Sequence, residues 1–282
     1  MSSRNWVNLA LFIFLMMAIA VFISKKNSTT KTQHLSSLKI EEITEIRIPR
    51  EQGKDIVFNK RDDTTWFMLK PYPVKAHQFR LNTLLGLTQT LIQKSYDADS
   101  LNLSDYALEQ PRARIIFNTT EISFGKINPV NNKRYLLAEN KILLLDDQIY
   151  PLVSAQASSF IDLALLPDNF KITKIETPAT TVELISNNLW TASNKNKLNA
   201  DQIQAFLQHW KSAQAFAIHA YLSRKNLGEI KISSQSKIIT FEITDDDPWL
   251  ILASPELNIE YHLDKSQKNI LYGILNMAPP SA

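Results

Sequence analysis

The sequence of residues 172–191 is ITKIETPATTVELISNNLWT, and its order of apolar and polar residues repeats an earlier part of the chain. Ile172-Thr-Lys-Ile175 matches Ile43-Thr-Glu-Ile46, and Trp190 follows Trp66 at an offset of 124 positions. Each tryptophan is followed ten positions later by an alanine, and a helical pattern begins there. Because order and spacing agree over several elements together, the pattern indicates an internal duplication of one structural unit.

The first unit starts with three short apolar runs, which predict an antiparallel meander of strands at residues 43–48, 55–59 and 65–69. From residue 76 to residue 93 the apolar spacing changes to three, four and seven, which predicts a helix that packs on this meander. Turns rich in asparagine then separate four further runs, which predict strand hairpins at residues 113–117, 121–124, 134–137 and 141–145.

The second unit has the same order of elements. Its helix is predicted to begin with Asn199 as the N-cap and Gln202 at the third helical position, the residue types of a capping box. One face of this helix is apolar and carries Ile203, Phe206, Leu207 and Trp210. Strands are predicted before and after it at residues 172–175, 182–185, 189–191, 229–232, 237–243, 249–252 and 257–263.

These patterns predict an α+β fold in which one N-terminal transmembrane helix precedes two tandem, duplicated α+β units. Each unit is expected to be an antiparallel β-meander that is packed by one main helix. The predicted domains are a transmembrane anchor at 1–24, a polar tether at 25–37, a first unit at 38–167 and a second unit at 168–282. A connecting helical segment is predicted at residues 150–166.

The anchor prediction depends on Leu9–Ile23, which are fifteen consecutive apolar residues. A helix over residues 6–23 would be roughly 27 Å long, close to the roughly 30 Å of a hydrocarbon core. A cleaved signal peptide is the alternative, because Ala18-Ile-Ala20 is a small-x-small triplet, but the triplet lies inside the apolar run. The basic residues on the two sides of the run do not decide the orientation. The sequence therefore favours an uncleaved anchor.

Composition excludes several functional classes. The chain has 31 basic and 28 acidic residues, and this near balance argues against a nucleic-acid surface. It has only five glycines, too few for glycine-rich phosphate loops, and no cysteine, which excludes a lipid-modified N-terminal cysteine. The absence of thiols carries no information about the redox compartment.

Few residues suggest chemistry. The five histidines do not fall at the spacing of a metal site, and Asp245–Asp247 is typical of a polar turn rather than a cation site. No serine lies in a nucleophile elbow, and Trp66 and Trp190 are interpreted as core residues. We therefore predict no catalytic residue, no cofactor and no metal ligand. Arg134 and Tyr135 are the best candidates for a binding groove, the alternative being an edge-strand arginine that packs on tyrosine.

Several motifs of the first unit resemble one protein family. Asp105-Tyr-Ala-Leu-Glu-Gln-Pro111, Phe124-Gly125, Asn128-Pro129 and Arg134-Tyr-Leu136 are similar to the pattern of the bacterial family known as domain of unknown function 4340 (DUF4340). The helix that follows Trp66, Pro71 and Ala76 resembles the family's opening motif. The resemblance covers residues 40–165 well and the second half more loosely. One difference is Ala107, where the family more often has glycine.

The resemblance implies a single N-terminal anchoring helix and a body on the outer side of a bacterial inner membrane. It also implies that some members occur beside transporter components of the ATP-binding-cassette class, and it supplies no catalytic residue. We therefore expect a single-pass inner-membrane protein with a periplasmic body, held through residues 6–23, with a protein partner in the envelope and no nucleic acid. The alternative is a periplasmic hydrolase or ligand-binding protein with a site in the cleft between the units.

Overall fold

The computed structural model describes part of the chain. These described residues are Trp6, Ile13, 15–17 and 33–274, except 63, 93, 187–188 and 194–197. Within the predicted anchor, only Trp6, Ile13 and residues 15–17 are described, and they are helical. The rest of the anchor lies outside the described residues. No helix among the residues that the structure describes is both long and apolar enough to cross a membrane.

The fold is α+β, with two antiparallel sheets and few helices. The first sheet has nine strands in the order β5-β4-β3-β2-β8-β9-β10-β11-β7. Their bounds are β2 Glu45–Ile48, β3 Ile56–Lys60, β4 Trp66–Lys70, β5 Val74–Lys75, β7 Ser95–Asp97, β8 Ala113–Phe117, β9 Thr120–Ile127, β10 Lys133–Ala138 and β11 Lys141–Asp146. Two short strands form a separate pair, β1 Gln33–His34 and β6 Leu91–Ile92.

The second sheet has eight strands in the order β14-β13-β12-β16-β17-β18-β19-β15. Their bounds are β12 Lys174–Glu176, β13 Thr181–Ser186, β14 Leu189–Ser193, β15 Ala217–Ala220, β16 Gly228–Ser233, β17 Ile238–Asp245, β18 Trp249–Ser254 and β19 Ile259–Asp264. Apart from the extra edge strand β5, the two orders correspond strand for strand. In both sheets a short strand that follows the main helix, β7 or β15, pairs at the far edge with the last strand.

Four α-helices accompany the sheets in the described part of the chain. They are α1 Gln78–Gly86, α2 Tyr150–Val153, α3 Ala200–Ser212 and α4 Gln267–Leu271. The start of α3 is confirmed, because Asn199 and Gln202 form a reciprocal capping box. Its four predicted apolar residues are all buried. Helix α1 is shorter than predicted, because after Gly86 the chain forms one 3₁₀ turn and then pairs as β6 with β1.

The segment in front of each sheet pairs with the residues that follow the main helix. In the first unit, β1 pairs with β6, and the Leu35 amide donates to the Thr90 carbonyl at 2.9 Å. In the second, Ala164 bridges Gln214, and the Leu165 amide donates to the Ala213 carbonyl at 3.1 Å. The predicted tether and the predicted helical connection are therefore wrong at their C-terminal ends. Extended chain forms there because pairing satisfies backbone hydrogen-bonding groups of the residues that follow each main helix.

One hydrophobic core joins the two units. It contains α1 and α3 side chains, the inner faces of both sheets, and Phe160, Ile161 and Leu165 from the connection between the units. Trp66 is 2% exposed in this core, as predicted, whereas Trp190 is half-buried at its margin. The helix-free face of each sheet is called its outer face. Residues 98–112, called the cover segment, pack on the outer face of the first sheet around Ala98, Leu108 and Ile142.

Candidate functional site

A groove of about 510 Å³ lies where the two units meet. Strands β4 and β5 form one wall, which includes Phe67 and Lys75, and β17 and β19 form the other, which includes Phe241 and Tyr261. Ile161, Asp162 and residues 164–168 of the connection also line it. The groove therefore exists only because both units and their connection are held together by the common core.

A compact ion-pair cluster lies on one wall of the groove. The Lys75 ammonium is 2.6 Å from an Asp168 carboxylate oxygen and 3.0 Å from one of Asp162. Burial lowers the pKa of Lys75, but its hydrogen bonds to the two carboxylates outweigh burial, so the pKa is raised on balance. Burial, with a smaller contribution from Asp162, raises the pKa of Tyr261 to about 12. At neutral pH the groove thus presents a charged lysine, two carboxylates and a neutral phenol.

The rim of the groove carries exposed charges from hairpin turns of both sheets. Arg61 follows β3, and its guanidinium lies 4.0 Å from the centre of the Phe67 ring. Lys237 precedes β17, and Glu256 lies in the turn between β18 and β19. Between these charges the walls offer the half-buried side chains of Phe67 and Ile239. Such a lining suits a ligand with apolar groups and a flanking anionic group.

Arg134, one of the two residues predicted for a groove, lies on an interior strand and is 4% exposed. Its Nε and Nη2 donate to the two Asp147 carboxylate oxygens at 2.6 and 2.8 Å, and its Nη1 donates to the Gly125 carbonyl. The guanidinium also lies 3.7 Å from the centre of the Tyr150 ring. Arg134 lines a smaller cavity of about 310 Å³, and its contacts hold the turn after β11 and the start of α2 against β10.

Tyr135 lies on the opposite face of β10, because successive side chains of a strand alternate between faces. Its ring packs 4.8 Å from that of Tyr106, and its hydroxyl accepts a hydrogen bond from Asn128 at 2.9 Å. Arg134 and Tyr135 therefore do not line one groove together. A binding role for either residue stays a prediction.

A second polar cluster, called the Glu260 cluster, lies on the outer face of the second sheet. The Glu260 carboxylate is 1% exposed and accepts hydrogen bonds from Arg224 at 2.9 and 3.2 Å and from His262 at 2.9 Å. The ring of His219 lies 4.6 Å from the ring of His262, centre to centre. Sequence spacing missed this cluster, because His219 and His262 come together only through the pairing of β15 with β19.

The acidic run Asp245–Asp247 forms a turn, as predicted. Asp245 accepts hydrogen bonds from the next two backbone amides, Asp246 contacts Lys268, and the Lys265 ammonium donates to Asp247 at 2.9 Å. Over the residues that are described, no group of three or more His, Cys, Asp or Glu side chains is arranged to hold a metal ion.

The sequence model of one protein family, described as "Domain of unknown function (DUF4340)", matches residues 66–229. The match begins at β4 of the first sheet and ends within β16 of the second, so it includes the connection and the helix α3. No curated protein and no solved structure matches the chain.

Proposed function

Because the chain belongs to the DUF4340 family, whose description states no activity, we propose its function from its own geometry. We propose a non-enzymatic binding component of a bacterial envelope complex. Residues 6–23 anchor it in the inner membrane, the two units lie in the periplasm, and a protein partner of the complex docks in the groove between the units. We propose that this complex includes a membrane transporter, to which the protein is an accessory component.

The groove is the observation that carries this proposal. Its size is that of a ligand site, and its walls combine apolar surface with fixed charges. Arg61 and Lys237 lie on turns from different units, so each unit contributes one cation at the rim for an acidic group on a bound segment. The favoured occupant is therefore an extended segment of the partner with apolar side chains and a flanking carboxylate.

We also infer that the two units arose by duplication. The two large sheets share a strand order, and the chain in front of each pairs with residues that follow the main helix. Leu35 and Thr90, which share a hydrogen bond, occupy the positions in the first unit that correspond to the bridged residues Ala164 and Gln214 in the second. These positions differ by 129 before the sheet and by 124 after the helix, the same offsets that relate the first strands and the two tryptophans. A ligand in the groove between two such units can contact both of them.

A periplasmic hydrolase is the second candidate, and the carboxylates of Asp162 and Asp168 in the groove favour it. A general acid and a general base need different proton affinities. Both aspartates here are ion-paired with the same lysine, Lys75, so neither is set apart from the other as the acid or the base. The arrangement suits a fixed polar contact for a ligand better than proton transfer.

Photo-crosslinking in intact cells tests the docking proposal. A photoreactive amino acid replaces Lys237 or Glu256 at the rim of the groove, and Lys126, exposed on β9 of the first sheet, serves as the matched control. We expect one discrete protein adduct from both rim positions and none from the control. Equal labelling from all three positions would overturn the docking site. An adduct of small-molecule mass would favour the ligand-binding alternative.

The location is tested separately with a cysteine at Ser28, because the chain has no native cysteine. A membrane-impermeant thiol reagent should label this variant in intact cells as fully as in lysed cells. Labelling that appears only after lysis would place the body in the cytoplasm.

A further inference from the structure

The outer faces of the two sheets differ at one equivalent buried position. Ile142 of β11 lies four residues before Asp146, and Glu260 of β19 lies four residues before Asp264. Both aspartates pair with the first residue of the preceding strand, and both buried residues pair with the edge strand. Each buried residue is 1% exposed. The second unit thus has a buried carboxylate where the first has an isoleucine.

Burying a carboxylate at this position is unfavourable for stability. A carboxylate removed from water loses roughly several kcal/mol of hydration free energy, unless hydrogen-bond donors replace the water. Here Arg224 forms a two-point contact with Glu260, and the Leu222 amide and His262 donate to it as well. A packed isoleucine would be the simpler solution, as the first unit demonstrates. Polar groups kept at such a position are candidates for function rather than for stability.

The carboxylate fixes the orientation of one imidazole. His262 Nε2 is 2.9 Å from a Glu260 oxygen. With Nε2 donating to the carboxylate, the neutral ring keeps its lone pair on Nδ1. The side chain of His262 retains 16% of its exposure, and His219 beside it is exposed. Both histidines project from the outer face, because His219 pairs with Glu260 and His262 pairs with Ala217.

A histidine held by a carboxylate, beside a second histidine, has the chemistry of a transition-metal site. Histidine ligands of metals usually donate their other ring nitrogen to a carboxylate, which orients the ring and raises its basicity. The ring centres of two imidazoles on one tetrahedral zinc ion lie on the order of 5 Å apart, since Zn–N bonds are about 2.0–2.1 Å. The observed separation of 4.6 Å is comparable.

We propose that His219 and His262 bind a divalent transition-metal ion of the Zn²⁺ class, with Glu260 acting as a positioning residue for His262. The described residues hold no third His, Cys, Asp or Glu arranged around the same point, so water or a partner's side chain completes the coordination. This makes an open site. Phe216 lies 6.4 Å from the His262 ring and 5.1 Å from the Trp249 ring, and these half-exposed aromatic rings border it on one side.

Titration of the purified full-length protein with Zn²⁺ tests this site. Calorimetry should show one ion bound, and with Cu²⁺ in its place the electron paramagnetic resonance spectrum should show coupling to two nitrogens. His219→Ala and His262→Ala should each weaken binding by tenfold or more. His209→Ala is the matched control, since His209 is exposed on α3, and it should bind as the unchanged protein does.

The role of Glu260 is tested by Glu260→Gln, which should weaken Zn²⁺ binding by about 10- to 100-fold, the usual effect of losing a carboxylate behind a histidine ligand. If Glu260→Gln fails to fold, His219→Ala still tests the metal site, because His219 is exposed and its replacement should not disturb folding. Unchanged affinity in His219→Ala, or no binding by the unchanged protein, would overturn the proposal. Neither result would affect the crosslinking test of the groove, which lies on the opposite face of the second sheet.

Discussion

The two outer faces of this protein show that one strand order can carry two kinds of surface. In the first unit, the cover segment buries an apolar patch around Ile142. In the second unit, only residues 221–227 join β15 to β16, and the Glu260 cluster occupies the corresponding face. The shorter connection leaves Leu222, Leu227 and Phe216 more than half exposed. The strand order therefore determines which side chains share a face of the sheet. The segments that connect the strands determine whether that face is covered as core or left accessible as a site.

Ile142→Glu should give the largest effect, because it places a carboxylate at the position of Glu260 without any of its partners. An unpaired buried charge makes this variant less stable by about 4 kcal/mol or more. The free energy of unfolding from urea titration measures it. Ile142→Val, which only removes a methylene group, should lose about 1 kcal/mol. Equal losses in the two variants would contradict the assignment of this face as apolar core.

Gly125→Ala should separate the cover segment from the first sheet. A Cβ atom at Gly125 would collide with the backbone oxygen of Tyr106 and press on the Leu108 side chain. We expect a loss of about 2–4 kcal/mol, because the backbone oxygen cannot move without displacing the segment. Gly86→Ala is the control, since a Cβ there meets no atom and the position is helical. Hydrogen exchange of residues 98–112 should rise in the first variant only.

Glu260→Ile is the reverse exchange, and it should be milder than Ile142→Glu. It removes the buried carboxylate and leaves Arg224, whose side chain is 31% exposed and can turn to water. We expect a loss of about 1–2 kcal/mol from imperfect packing and the freed connection. Adding Arg224→Leu should recover part of that loss in the same urea titration. A loss as large as that of Ile142→Glu would show that the two faces do not differ in the way described.

Glu139→Gln tests how the first unit holds the segment in front of its sheet. Glu139 accepts hydrogen bonds from the Ser37 amide at 2.9 Å and from the Ser36 and Ser37 hydroxyls at 3.0 Å. The Ser37 amide contributes most to lowering the pKa of Glu139 below its ordinary value of 4.5. Because the residue is exposed, the expected loss at neutral pH is a few tenths of a kcal/mol, up to about 1 kcal/mol.

The sign of the pH dependence follows from that lowered pKa. The contribution of Glu139 is fully present above pH 4.5, the ordinary value, and is lost as the pH falls through the lower pKa of the folded state. The stability difference between Glu139→Gln and the unchanged protein should therefore vanish at low pH. Glu109→Gln, also on the surface of the first unit, should show no comparable difference. A stability difference that persisted at low pH would show that the charge of the Glu139 carboxylate is not its cause.

Ala107→Gly should give a small effect of the opposite sign, a gain in stability. Ala107 ends a 3₁₀ turn of the cover segment in the left-handed conformation, with φ of 53°. A Cβ atom is unfavourable in that conformation and glycine is not, although glycine loses more entropy on folding. We expect a gain of about 0.5–1 kcal/mol in the free energy of unfolding. A loss would show that the alanine methyl group makes packing contacts that outweigh its backbone strain.

Much of the fold could be predicted from local patterns. The start of α3 follows from Asn199 and Gln202, which act within a single helical turn, and β8 has the predicted bounds because its apolar run ends at turn residues. The elements that were missed are the two-residue strands and the edge strands β7 and β15. Strand β15 contains only Ala217–Ala220, and its partner strand comes about 40 residues later in the chain. No local period marks such a strand, since its pairing stabilises it from a distance.

The candidate sites were less accessible to sequence reasoning than the fold. Arg134 and Tyr135 are neighbours in sequence and were predicted to act together, but the alternation of side chains along β10 separates them. Lys75 and Asp168 are 93 positions apart and meet in the groove. His219 and His262 meet through strand pairing. Pairs of this kind have no spacing that a sequence pattern can recognise.

The sequence by itself determined the α+β class, the repeated order of strands and helix, and the apolar face of α3, because these depend on residue periodicity over one element at a time. It also supplied the expectation of an anchor at residues 6–23. Only the tertiary structure decided where the units meet, which faces are covered, and which charges come together. Those outcomes depend on contacts between residues far apart in the chain. The role of a buried carboxylate such as Glu260 depends on Arg224 and His262, which only the fold brings next to it.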